Sequence, residues 1–193
     1  FIVAAWFAYQ SFVVLPKEQQ AADAIYKAQE YFGKDSVKLA LNGDAGGRGF
    51  LYIIKNYSGT KSANLAKYYA GVCYLRTGDF TNAVKYLQDF TTDAKQIQMM
   101  AYGSLGDAYG ELNKNEEAIE SYKRAEATFS DDENMASEYL YRAASKLELA
   151  SKTKDAVELF KKIKEKYPNT ERGRQIEKDI YRLSIEPNDF STK

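Results

Sequence analysis

Residues 64–90 read NLAKYYAGVCYLRTGDFTNAVKYLQDF, and two apolar-faced segments flank Gly78. The spacing predicts a helical hairpin, with Gly78 as the C-cap that ends the first helix. The pattern returns at 99–125, MMAYGSLGDAYGELNKNEEAIESYKRA, and at 137–163, SEYLYRAASKLELASKTKDAVELFKKI. Successive copies start 35 and then 38 residues apart, the extra residues falling in the polar stretch 130–134. Gly71, Gly106 and Ala144 share one position of the first helix, and Ala83, Ala118 and Ala156 share one of the second. Small residues there let two helices approach closely. Tyr74 and Tyr109 take a large slot on the first helix, where Leu147 stands in the third copy; Leu87, Tyr122 and Phe160 take that of the second. Asn113 and Ser151 replace Gly78 at the corner, and Pro168 closes the third copy alone.

This combination resembles the tetratricopeptide repeat, a helix-turn-helix unit of about 34 residues. The expected fold is all-α: a solenoid of about four helix pairs over residues 17–185 with a capping helix, and a flexible tail at 186–193. Ala21, Ile25, Ala28 and Phe32 mark an amphipathic helix, and residues 49–57, GFLYIIKNY, read as the second helix of a degenerate pair. Residues 35–48 are too long and glycine-rich for an ordinary turn between them. Ile176, Ile180 and Leu183 mark the cap, whose outer face is charged because a terminal repeat has no neighbour.

The chain opens FIVAAWFAYQSFVVLP and turns polar at Lys17. Residues 1–15 reach about 22 Å as a helix, against roughly 30 Å of hydrocarbon. They read as a truncated transmembrane anchor helix, with Trp6 and Tyr9 suited to an interfacial belt and Lys17 just outside it. A buried core helix and a signal-peptide remnant are the alternatives; the second lacks a small-residue cleavage site. Membrane orientation cannot be read without upstream charges.

Composition excludes several functions. Twenty-seven basic residues balance 27 acidic ones, so the basic excess of a nucleic-acid binder is missing. With no histidine, the commonest general base and metal ligand is absent. The single cysteine, Cys73, rules out an internal disulfide and reads as a packed core residue. The glycine-rich run 42–49, NGDAGGRG, could form an anion nest, but no GK[ST] follows and an inter-helix loop explains it better. The run Asp131-Asp132-Glu133 lacks calcium-loop spacing and reads as solvated charge before a helix. No catalytic residue, metal site or cofactor is nominated, and no small-molecule substrate.

What remains is surface. In the repeat pattern the groove-facing positions are Leu65, Tyr68, Val72, Leu75 and Arg76, then Met100, Gly103, Asp107, Gly110 and Glu111, then Glu138, Tyr141, Ser145, Glu148 and Leu149. Such a wall would suit a helix or extended segment with apolar side chains and some positive charge. The alternative is that neighbouring helices bury these residues.

An apolar N-terminal stretch followed by such an array is similar to the YfgM-like family of membrane-anchored tetratricopeptide proteins. That resemblance implies a non-catalytic adaptor in the bacterial inner membrane, single-pass, with its repeats in the periplasm. Its implied partners are the Sec translocon and a membrane-anchored periplasmic chaperone. A structural subunit of a cell-envelope complex is the competing function, and an enzyme with an unusual carboxylate site a distant third.

Overall fold

The computed structural model describes residues 1–185. The tail expected at 186–193 lies outside the described residues. The order is α1 (Ile2–Tyr9), a π-helical turn (Gln10–Val14), α2 (Leu15–Gly33), α3 (Val37–Asn42), α4 (Phe50–Asn56), α5 (Lys61–Thr77), α6 (Phe80–Gln88), α7 (Lys95–Glu111), α8 (Asn115–Thr128), α9 (Glu133–Leu149), α10 (Thr153–Lys166), α11 (Glu171–Gln175) and α12 (Glu177–Ser184). No strand occurs among the described residues. The chain falls into two compact units, Phe1–Thr91 and Thr92–Lys193.

In the first unit α5 is the central helix, packed by α2, α3, α4 and α6. Thr60 caps its start by accepting from the Ala63 amide, and Gly78 ends it in the left-handed region at φ 80°. Gly71 sits where α6 crosses: a Cβ there would lie 2.5 Å from Leu87 Cγ, so the register needs a bare α-carbon. Phe50 and Ile53 are fully buried, Tyr69 stacks on Phe50 at 5.0 Å, and Phe32 meets both edge-on. The glycine-rich stretch holds a short helix, α3, that its composition had hidden.

In the second unit α7 pairs with α8, α9 with α10, and α11–α12 close against α9 and α10. Gly106 repeats the role of Gly71, since a Cβ there would come within 2.6 Å of the Tyr122 ring. Asn113 and Ser151 stand at φ 59° and 58°, the corner that Gly78 makes in the first hairpin. Asp132 caps α9 by accepting from the Met135 amide, which gives the acidic run its local purpose. Thr170 caps α11, a helix not anticipated ahead of the predicted cap.

The N-terminal segment continues α2 without a break in helical backbone, because Gln10, Val14 and Leu15 all keep right-handed dihedrals. Pro16 lacks an amide hydrogen and its ring crowds the carbonyl of the residue four back. The π turn just upstream, where the Leu15 amide reaches the Gln10 carbonyl, absorbs that mismatch. No residue between 1 and 16 is buried, and Phe7, Phe12 and Ile2 are 61%, 81% and 87% exposed. The core-helix alternative is therefore not the one adopted. Among the described residues no helix is long and apolar enough to cross a membrane.

Candidate functional site

The groove positions divide between the two units. On α5 of the first, Tyr68 is buried, its ring 5.5 Å from that of Phe90. Leu65 packs against the unit's core, and Val72 and Leu75 are half-buried. Arg76 is exposed but engaged, paired with Asp35 and lying over the Phe32 ring at 5.4 Å. Little of this set is open for a partner in the way the sequence suggested.

On the second unit the set falls into two polar networks, one around Asp107 and Glu138 and one around Glu148. The Tyr122 hydroxyl donates to Asp107 Oδ1 at 2.7 Å. Arg142 Nη1 donates to both oxygens of the same carboxylate at 2.8 and 3.1 Å, tying α9 to α7. Arg142 Nε donates to Glu138 Oε1 at 2.9 Å, and Arg172 Nε to Glu138 Oε2 at 2.7 Å, which adds α11. The Arg172 guanidinium lies 3.8 Å over the Tyr141 ring, a cation–π contact. Glu148 accepts from Arg182 of α12, and Arg182 also reaches Asp179. Burial favours the neutral form of Glu138, yet Arg172 and Arg142 outweigh it and hold the carboxyl below its usual range. A hollow of about 190 Å³ opens beside this pair, lined by Asn134, Ser137, Glu138, Glu171 and Arg172. That is smaller than a typical small-molecule site.

Three sequence expectations change in consequence. Asp107, Glu138 and Glu148 are not free carboxylates awaiting a cationic partner, because arginines of the same unit already hold them. Gly103 is buried rather than groove-facing, with the Tyr139 ring seated where a side chain would go. Gly110 and Ser145 are half-buried, and the Ser145 hydroxyl turns back to the Tyr141 carbonyl. What the face leaves exposed is Met100 at 38%, Glu111, and Leu149 at 76%. Arg142, Arg172 and Arg182 were missed, although each stands 34 or 35 residues after its carboxylate. Opposite charges one repeat apart were the available signal.

The other nominated features are structural. Cys73 is buried, which pushes its thiol up to about 12, far from a reactive thiolate. In the glycine-rich loop the exposed Asp44 carboxylate accepts from the Tyr31 hydroxyl and the Gly46 amide, with Lys27 3.4 Å away. The loop thus fills its own anion position. Among the described residues no group of three His, Cys, Asp or Glu side chains could hold a metal.

Residues 65–95 and 104–170 each match a family model described as tetratricopeptide repeat. The two matches cover α6, α8, α9 and α10 and most of α5 and α7. No curated protein matches the chain.

Proposed function

We propose, from the premise that this is a tetratricopeptide-repeat protein, that it is a protein-binding scaffold tethered to a membrane through residues 1–15. Two features support the reading. On the face formed by α7, α9, α11 and α12, Asp107, Glu138 and Glu148 are already paired, and Met100 and Leu149 are its exposed apolar points. An extended or helical segment of another protein gains most by covering such points, because their burial carries no polar desolvation cost. The apolar N-terminal helix, exposed along its length, supplies the tether.

The finer reading follows the resemblance to the YfgM-like family. It places the chain in a bacterial inner membrane with its repeats in the periplasm, as an accessory that docks a translocon or chaperone subunit. The test is photo-crosslinking in intact membranes from probes at Met100 and Leu149, with a control probe at the exposed Lys161 of α10. Capture of one defined protein from the first two sites and not the third is the expected result. Equal capture from all three, with the protein folded, would refute the docking face. A captured protein unrelated to export would refute only the finer assignment.

A further inference from the structure

The junction between the apolar helix and the rest of the first unit is held by hydrogen bonds and carries exposed positive charge. Lys17 Nζ donates to the Ser58 carbonyl at 2.7 Å. Glu18 accepts from the amides of Lys61 and Ser62 at 2.9 and 3.1 Å, so α2 caps the start of α5. The apolar helix therefore joins the rest of the unit at the end formed by the start of α2, the turn after α4 and the start of α5. Lys55 lies in the last turn of α4, and Lys61 is the first residue of α5; both are exposed. Of the nearby carboxylates, Asp89 is paired with Lys67 at 2.7 Å, and Glu18, which accepts only from neutral donors of α5, offsets one of the three lysines Lys17, Lys55 and Lys61. Excess positive charge is left at the foot of an apolar helix.

We propose that this end of the first unit rests on an anionic phospholipid surface, with Lys17, Lys55 and Lys61 as a collar at headgroup level while residues 1–15 enter the lipid. The inference rests on the tether reading and adds to it the lipid class and the end of the unit that faces the bilayer. The chemistry is simple. Aliphatic lysine stems can lie along the hydrocarbon boundary with their ammonium groups among the phosphates. Each lysine held near an anionic surface strengthens binding roughly fivefold, an effect that salt screens. The short turn at Ser58–Gly59 has no bulky side chain to hold the unit away from the surface.

The experiment is vesicle flotation of the full chain with pure phosphatidylcholine and with a three-to-one mixture of phosphatidylcholine and phosphatidylglycerol. The expected result is binding to both, stronger on the mixture by on the order of tenfold or more. The K55E/K61E variant should lose that preference yet still float with phosphatidylcholine, with helical circular dichroism unchanged. It leaves Lys17 in place because Lys17 also braces the Ser58 turn. Equal binding of the parent to both vesicles, or a preference retained by K55E/K61E, would overturn the collar and leave the tether standing. Flotation with neither vesicle, together with self-association that F7D/F12D abolishes, would overturn collar and tether alike and assign the apolar helix to a second copy of the chain.

Discussion

Ser151 holds a backbone conformation that costs an L-residue about 1 kcal/mol or more, at φ 58° after α9. Its first-hairpin counterpart, Gly78, takes the same turn without a Cβ. Replacing Ser151 with glycine should therefore stabilise the protein by up to about 1 kcal/mol, read as a higher midpoint in urea at unchanged slope. An unchanged or lower midpoint would mean that the Ser151 side chain contributes more than the strain costs. Glu126 tests electrostatics at the same scale. It is buried on α8 and accepts from Lys162, Lys166 and the Tyr167 hydroxyl at 2.9, 2.8 and 2.6 Å. Burial acts to raise its pKa, but the three donors together hold the carboxyl below the ordinary range. A carboxyl depressed on folding adds stability above its unfolded pKa, near 4.3, and loses it as pH falls through the folded value. Glu126→Gln should cost about 1–3 kcal/mol at pH 7, and the gap from the parent should narrow below about pH 4. Thermal melts of both proteins across that range check it; a gap constant with pH would assign the loss to packing alone.

At the scale of elements, the start of α5 receives two caps, one local from Thr60 and one from Glu18 on α2. The second joins residues more than 40 positions apart, so it also fixes α2 against α5. Glu18→Ala should cost about 1 kcal/mol and speed hydrogen exchange at the Lys61 and Ser62 amides, while the α9 amides keep their protection. Unaltered exchange at those two amides would show that water replaces the carboxylate at no cost. Elements were also where the sequence was most legible. Helix existence, the hairpin corners and the close crossings at Gly71 and Gly106 follow from short-range spacing and residue size, and each is seen in the structure. The misses share a cause in local composition. The glycine-rich stretch 35–48 hid α3, and the change of polarity at Lys17 separated two segments that a π turn joins as one helical run.

For the molecule as a binding protein, the decisive feature is that the second unit neutralises its own face. The sequence displayed Asp107, Glu138 and Glu148 as a string of carboxylates because each has a partner a full repeat away, and only Glu138 has one, Arg142, on its own helix. Only stacking of helix pairs brings Arg142 to Asp107, Arg172 to Glu138 and Arg182 to Glu148. A partner that relied on positive charge would have to displace these arginines, losing paired contacts to make similar ones. Two exposed apolar points need no such exchange. Burying a leucine side chain contributes about 1.5–3 kcal/mol, whereas an exposed ion pair contributes about 0–1 kcal/mol and weakens with salt. Affinity for a partner docked on this face should accordingly depend on Leu149 and hardly at all on ionic strength. Leu149→Asp should weaken binding at least tenfold without lowering thermal stability, since the side chain is 76% exposed. Titration of the crosslinked partner, once purified, at low and at high salt should give dissociation constants within about threefold of each other. A steep loss of affinity with salt, and indifference to Leu149→Asp, would mean that the arginine–carboxylate seam opens to receive a charged segment, and that the apolar points are incidental.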